Sequence, residues 1–249
     1  MLIQSDYHIH ASFYRPKNPG DVAGPTVREQ IDAARNVGNK YVGILEHCNA
    51  SPRHPFHCLE EMAAEFYAPG FERENVFLGV ESDLSADGSD HCGCSGREKL
   101  RLDYVIGSVH ASPKTVPDFD DYLQLEYQCI TNALKYNDNI DIIGHPYGEG
   151  VRWEKAGIIE KWSWSLIPET YLEEILHLAK ESGKALEINR CLLEDKVYID
   201  FWSRIRDNGI IFSVGSDAHF PETLPEAAVR TKWLENLGLT ESNHWRIKK

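Results

Sequence analysis

Histidine and acidic residues recur in this 249-residue chain at positions where they could bind divalent cations together. His8 and His10 are two residues apart, a spacing that directs both imidazoles to the same face if the segment is a strand. Neutral imidazoles aimed at one point are typical ligands of a transition-metal site. A His-x-His pair alone is weak support for such a site, so further ligands must come from elsewhere in the chain.

The same residue types follow most of the other short apolar runs. Those that come directly after such a run, or within a few residues of its end, are Glu46, His47, Glu81, His110, His145, Asp217 and His219. If the runs are parallel strands, all these side chains converge on one edge of the sheet. So many imidazoles and carboxylates can share a cleft when bound cations balance their charges. The pattern therefore predicts a cluster of divalent cations.

The elements that must position these residues alternate between strands and helices, which is typical of β/α units with a mainly parallel sheet. The predicted strands are the aliphatic runs Leu2–Ile9, Lys40–Leu45, Val76–Val80, Tyr104–Val109, Ile140–Gly144, Ala185–Ile188 and Ile210–Val214. The predicted helices are a segment from the capping box Thr26–Glu29 to near Gly38, then Leu59–Tyr67, Phe119–Tyr136, Pro168–Glu181, Glu194–Asn208 and Leu224–Leu237. Seven units favour a closed or nearly closed α/β barrel, with a doubly wound open sheet as the alternative.

Composition restricts the class of protein. The net charge of −13 leaves no basic surplus for long nucleic acid, although a local pocket for a small anion is compatible with it. No run approaches the roughly 18 apolar residues of a membrane span, and Met1–Asp6 lacks the pattern of a signal peptide. Six cysteines are too few for a disulfide framework at this length. We therefore expect one cytoplasmic domain over residues 1–249, with reduced thiols and no membrane partner; the oligomeric state stays open.

Two long connections, Ser82–Leu102 and Pro146–Ile167, are of the kind that form lids or binding loops. In the first, a plain loop is favoured over a separate metal or redox site at Cys92 and Cys94. In the second, local packing of the tryptophans is favoured over stacking on a substrate. The histidines outside the main pattern are expected to be exposed or capping groups: His54, His57, His91, His177 and His244.

Taken together, the motifs resemble the polymerase-and-histidinol-phosphatase (PHP) family, and the resemblance covers residues 3 to about 225. They occur in that family's order: His8-Ile-His10, Glu46-His47, Gly79-Val-Glu81, Gly107-Ser-Val-His110, Gly144-His145-Pro146 and Ser216-Asp217-Ala-His219. The segments Asp103–His110 and Leu186–Asn189 are similar to the histidinol-phosphatase branch, an activity of histidine biosynthesis. The resemblance implies a distorted (β/α)7 TIM-like barrel with two or three metal ions at the carboxyl ends of its strands.

The resemblance also assigns ligands by matching position. It implies that one ion binds His8, His10, Glu81 and Asp217, that Glu81 bridges to a second ion completed by His110 and His145, and that His47 and His219 bind a third. Manganese, iron and zinc all suit such ligands. The family often has another histidine or an acid soon after the first pair, but residues 11–20 contain no histidine; Asp21 is the nearest acid, and Arg15 lies between. The third ion is therefore the least secure.

Three functions are compatible with these residues. The favoured one is hydrolysis of a small phosphate monoester, possibly histidinol phosphate, by a metal-bridging hydroxide, with Asp217, or His219 if the third metal is absent, as proton shuttle. Arg190 is the first candidate for a contact to the phosphate, although it could equally be a surface arginine; Lys114 and Arg152 are weaker candidates. The alternative is a phosphodiesterase that acts on a nucleotide or an oligonucleotide end with the same metals. A non-catalytic binding module would be expected to have lost ligands, and none is missing from the two better-defined sites.

Overall fold

The strands form a parallel, nearly closed barrel. The structure is a computed structural model that describes residues 3–11, 24–51, 55–189 and 192–247. Its strands are β1 (Ser5–His10), β2 (Tyr41–Leu45), β3 (His47–Cys48), β4 (Val76–Asp83), β5 (Tyr104–Ser108), β6 (Ile142–Ile143), β7 (Ala185–Ile188) and β8 (Phe212–Val214). Neighbours follow the order β1-β2-β4-β5-β6-β7-β8, and β3 pairs with β4. All of these pairs are parallel.

The segment that follows β8 closes the ring against β1. The Asp217 N–H donates to the His8 carbonyl at 2.8 Å, and the His10 N–H donates to the Ala218 carbonyl at 2.9 Å. The first and last units are therefore hydrogen-bonded to each other. This contact rules out the doubly wound open sheet and confirms the distorted TIM-like barrel.

Helices cover the outside of the barrel. They are α1 (Val27–Asn36), α2 (Phe56–Phe66), α3 (Gly93–Leu100), α4 (Phe119–Tyr136), α5 (Val151–Lys155), α6 (Glu169–Ser182), α7 (Lys196–Asp207) and α8 (Ala227–Asn236). The predicted capping box is present, because the Thr26 side chain accepts from the Glu29 N–H and the Glu29 side chain accepts from the Thr26 N–H. α4 has the predicted bounds, and α6 ends at a left-handed Gly183 as its sequence indicated.

Three predicted boundaries were wrong in ways that affect the site. β4 continues through Glu81 to Asp83, so that Glu81 lies within a strand rather than after it. The predicted connection Ser82–Leu102 contains α3, which begins directly after Cys92 and includes the exposed Cys94. β6 is reduced to Ile142–Ile143, although His145 still follows it closely. Local apolar runs could not predict the ends of β4 and β6, because pairing with neighbouring strands sets where a strand stops.

An aromatic cluster fills the barrel at the amino ends of the strands. Tyr104 is fully buried and its hydroxyl donates to the Tyr7 carbonyl at 2.6 Å. Its ring occupies the space beside Gly43 and Gly79, where an added Cβ would come within 2.3 Å of Tyr104 atoms. Trp245 packs edge-on against Tyr7 with ring centroids 5.0 Å apart. Aromatic side chains thus fill the barrel interior at the amino ends of the strands, whereas the predicted ligands follow the carboxyl ends.

No helix in the described ranges combines the length and the apolar character needed to cross a membrane.

Candidate metal centre

Glu81 is the centre of the polar cluster at the carboxyl ends of the strands. It is completely buried, and its Oε1 lies 2.9 Å from His145 Nε2 and 3.2 Å from His110 Nε2. Its Oε2 lies 2.8 Å from His47 Nδ1 and 3.4 Å from His10 Nε2. His47 faces Glu81 because β2 is interrupted at one residue and resumes as β3, in which His47 is the register partner of Glu81. One carboxylate therefore contacts imidazoles delivered by four different strand ends.

Asp217 forms the second carboxylate of the cluster. Its Oδ1 lies 3.2 Å from His10 Nε2 and 3.6 Å from His8 Nε2. The same oxygen lies 3.5 Å from His219 Nε2, and the His219 ring stacks on that of His10 with centroids 4.0 Å apart. Asp217 and His219 are partly exposed, whereas His8 and His10 are fully buried. The loop after β8 thus places two polar groups at the open mouth of the cluster.

All eight side chains predicted as metal ligands are brought together. They form four overlapping groups in which the ligand atoms of each group lie within 4.8 Å of one another: His8, His10 and Asp217; His8, Glu81 and His145; His47, Glu81 and His110; His10, His47 and His219. These groups could hold metal ions. The grouping differs from the one that the resemblance implies, since His110 and His145 join Glu81 in separate groups and His10 joins His47 and His219.

The ring nitrogens and carboxylate oxygens of the cluster suit cations, because several of them direct lone pairs at one another with no hydrogen atom between them. His8 Nδ1 lies 2.9 Å from Glu187 Oε1, and a carboxylate acceptor there places the imidazole proton on Nδ1. His8 Nε2 is then an acceptor, yet it faces His10 Nε2 at 3.2 Å and Glu81 Oε1 at 3.4 Å. Lone pairs converging in a buried space require a cation or an added proton between them.

The pKa shifts of His8 and Glu81 also indicate that the cluster attracts positive charge. Burial lowers the pKa of His8, but Glu187 and then Glu81 raise it well above its usual value. Burial raises the pKa of Glu81, but His110, His8 and His47 lower it well below its usual value. The carboxylate thus remains ionised, as a metal ligand must be, and the cluster of imidazoles and carboxylates attracts positive charge.

Carboxylates behind the cluster orient its imidazoles, and the sequence patterns did not assign this role. Glu187 is buried, bonds to His8 Nδ1 and accepts from the His145 N–H at 2.9 Å. Asp83 Oδ1 lies 2.7 Å from His110 Nδ1. Such partners fix which ring nitrogen is free to bind a metal. The only signal for them in the sequence is an acid at a strand end, which does not identify the imidazole it will contact.

Of the three predicted substrate-binding residues, the structure describes Arg152 and Lys114. Arg152 is half-exposed on α5 and forms an ion pair with Glu149. Burial raises the pKa of Glu149, and the charges of Arg152, His145 and His110 offset only part of that rise. Lys114 is exposed in the loop after β5. Arg190, with Arg15, Asp21 and His54, lies outside the described residues.

Most of the remaining predictions for histidines and tryptophans agree with the structure, and the one for His244 was wrong. His57, His91 and His177 are exposed, as expected. His244 is not; it is buried and its Nε2 lies 2.9 Å from Ser5 Oγ, because the C-terminal segment folds under the barrel. Trp153, Trp162 and Trp164 are all buried, which favours the packing role; Trp162 and Trp164 also line a cavity beside His145.

Comparison with known proteins shows that the chain is similar to proteins named as phosphatases. The chain is 25% identical over 224 residues to a protein named "Probable phosphatase" from Vibrio parahaemolyticus, with 86% of this chain and 79% of that protein covered. It is 27% identical over 221 residues to one so named from Caldicellulosiruptor saccharolyticus, with 84% and 80% covered. No family model matches the chain.

Among solved structures, that of A. niger ochratoxinase is similar over 97% of this chain and 68% of its own, with 11% identity and a TM-score of 0.45. That likeness is too distant to carry an argument.

Proposed function

We propose that this protein is a metal-dependent phosphatase that hydrolyses a small phosphate monoester. The observation that carries the proposal is the convergence of five imidazoles on the buried carboxylate of Glu81, and the similarity to proteins named as phosphatases supports it. Divalent cations held there would lower the pKa of a coordinated water and neutralise charge on the phosphate oxygens. The PHP-like order of the motifs supports the same reading.

The residues of the chain would divide the remaining work. Asp217 and His219 lie at the open mouth, so Asp217, or His219 where it binds no third ion, would carry a proton to the leaving alcohol. Arg152 is half-exposed and held by Glu149, so its guanidinium can contact a phosphate oxygen. The substrate that the resemblance suggests is histidinol phosphate. Its ammonium group would require a nearby acid, and the candidate is Glu149, the partner of Arg152.

The test is an assay of the protein loaded separately with Mn²⁺, Zn²⁺ or Fe²⁺, with elemental analysis of the same samples. The substrates are p-nitrophenyl phosphate, bis-p-nitrophenyl phosphate and histidinol phosphate. We expect turnover of the monoesters that is lost on chelation. Cleavage of the diester alone would replace the monoesterase with the phosphodiesterase alternative. A metal-loaded protein that turns over none of the esters would contradict the proposed activity.

Substitution of metal ligands should abolish this turnover. His8→Ala and Asp217→Asn each remove a donor from the group His8, His10 and Asp217. Since bound cations contribute several kcal/mol to such reactions, kcat/KM should fall by about 1000-fold or more. Bound metal should fall with it while the circular dichroism spectrum is unchanged. The exposed His177→Ala variant is the matched control; wild-type metal content in His8→Ala would remove His8 from the ligand set.

A further inference from the structure

An arginine on the last helix is buried without contacting the proposed ligands. Arg230 of α8 is 2% exposed, and its guanidinium pairs with the fully buried Asp6 and donates to the Asn39 side chain. Burying an arginine and an aspartate costs several kcal/mol before their attraction is counted. A pair of this kind is often retained because it specifies a geometry.

Asp6 connects that arginine to the segment that carries Asp217. Its Oδ1 accepts from the Ser216 N–H at 3.0 Å, while its Oδ2 is taken by Arg230. The same Oδ1 accepts from the His8 backbone N–H at 3.3 Å. Asp6 is therefore bonded both to its own strand, which bears His8, and to the residue directly before Asp217.

The segment needs such support because its backbone is strained. Asp217 has φ of +55°, in the left-handed region that costs a non-glycine residue about 1 kcal/mol or more. This conformation turns Asp217 Oδ1 toward His8 and His10. The Asp217 N–H donates to the His8 carbonyl at 2.8 Å, and the Ser216 N–H would lose its acceptor if Asp6 moved.

We propose that Arg230 is a positioning residue for the metal centre: by holding Asp6 Oδ2, it keeps Asp6 Oδ1 in place as the acceptor of the Ser216 N–H, and so fixes the segment Ser216–Asp217 in the conformation that presents Asp217 as a ligand. Without the guanidinium, the buried Asp6 side chain would lose the contact that fixes its orientation and would turn toward water or another donor. The Ser216 N–H would then be released. The inference rests on the proposed function, since it concerns the same metal centre, but its first consequence is visible in the protein without metal.

The first measurement is therefore hydrogen exchange in metal-free protein. Arg230→Met keeps much of the apolar stem and removes the charge, whereas Arg230→Lys keeps a charge but cannot bridge Asp6 and Asn39 together. We expect exchange at the Ser216 and Asp217 amides to be fastest in Arg230→Met and intermediate in Arg230→Lys. Leu234→Ala is the matched control, because it removes a buried side chain of the same helix that has no polar group.

The second measurement is the affinity for Mn²⁺ or Zn²⁺ by calorimetry, under conditions in which every variant is folded. Loss of an outer partner of a metal site weakens binding by about 10- to 100-fold, and we expect that loss in Arg230→Met but not in Leu234→Ala. If Arg230→Met does not fold, Asn39→Ala, which removes the other partner of the guanidinium, takes its place.

The two proposals fail separately. A wild-type protein that binds no divalent cation would overturn the proposed function. Exchange at Ser216 and Asp217 that is the same in Arg230→Met and Leu234→Ala would overturn the positioning role, whatever the metal result. So would equal metal affinity in these two variants.

Discussion

At the scale of single residues, the cluster depends on an acid that is not among the predicted ligands. Glu187 uses one carboxylate for two tasks: it bonds to His8 Nδ1, and it accepts from the His145 N–H. His145 is buried and has φ of +26°, an unusual value for a residue with a side chain, and its backbone N–H finds its acceptor in Glu187. Glu187 therefore couples the tautomer of one imidazole to the placement of another.

Glu187→Gln should consequently weaken metal binding more than it weakens the fold. The amide retains one acceptor but presents a donor in place of the second oxygen, so it cannot satisfy both partners. We expect a loss of about 10- to 100-fold in metal affinity, measured by calorimetry. Asp141→Asn is the control, because Asp141 also accepts a backbone bond, from the Val105 N–H, at the far end of the barrel. Equal affinities in both variants would show that Glu187 does not orient the centre.

Arg152 gives a second prediction at the scale of single residues. A hydrogen bond from Arg152 to phosphate, partly screened by solvent, would contribute about 1.5 kcal/mol to binding. Arg152→Ala should therefore raise KM for p-nitrophenyl phosphate about tenfold and leave kcat nearly unchanged. Lys155→Ala removes an exposed charge from the same short helix and should leave both constants unaltered. An unchanged KM in Arg152→Ala would remove Arg152 from the substrate contacts.

At the scale of elements, the turn after β8 leaves no room for a side chain. A Cβ added at Gly215 would lie 2.1 Å from Glu187 Oε1 and 2.4 Å from His8 Cβ. Both of those atoms are fixed, one by the bonds of Glu187 and the other by the β1 backbone. Glycine at this position therefore allows β8 to approach β1 and to deliver Asp217 to the cluster.

Gly215→Ala should accordingly displace the turn and disrupt the metal centre. We expect bound metal, by elemental analysis, to fall below half of the wild-type content, together with a lower melting temperature. Gly183→Ala is the matched control: Gly183 has φ of +68° in open space at the end of α6, so its substitution should cost about 1 kcal/mol without any loss of metal. Full metal content in Gly215→Ala would show that the turn tolerates a side chain.

At the scale of the whole molecule, residues 244 and 245 connect the first and last strands of the barrel. The Trp245 N–H donates to the Phe212 carbonyl at 2.7 Å, and His244 Nε2 lies 2.9 Å from Ser5 Oγ at the start of β1. Burial, with Arg246 nearby, lowers the pKa of His244 to about 4. Its imidazole also stacks on the Tyr7 ring. The segment therefore packs under the barrel with a neutral histidine.

This arrangement predicts acid sensitivity that is independent of the metal ligands. The pKa of His244 is about 4 in the folded protein and about 6.5 in the unfolded chain, so protonation favours the unfolded chain. The free energy of unfolding should therefore fall as the pH is lowered from about 6.5 to 4, by up to about 3 kcal/mol. His244→Gln should remove that part of the pH dependence, measured by urea unfolding across this range. His177→Gln, at an exposed site, should retain it. Parallel pH profiles for the wild type and His244→Gln would contradict the prediction.

Much of the architecture could be predicted from local signals, because those signals are repeated in every unit. Short aliphatic runs alternating with amphipathic helices specify a parallel sheet, and a capping box or a terminal glycine fixes individual helix ends, as at Thr26 and Gly183. The interruption at Glu46 and the extension of β4 past Glu81 escaped prediction. Both result from pairing between strands that are distant in sequence, which a local pattern does not contain.

The sequence by itself determined which residue types gather at the mouth of the barrel. A ligand at the end of nearly every strand implies a shared edge once the strands are parallel, whatever their detailed register. Only the tertiary structure decided which groups sit side by side. Glu187 hydrogen-bonds to His8 and Asp83 to His110. Asp6, paired with Arg230, hydrogen-bonds to the turn before Asp217. These contacts join residues dozens to hundreds of positions apart, and their distances depend on packing that no spacing along the chain encodes.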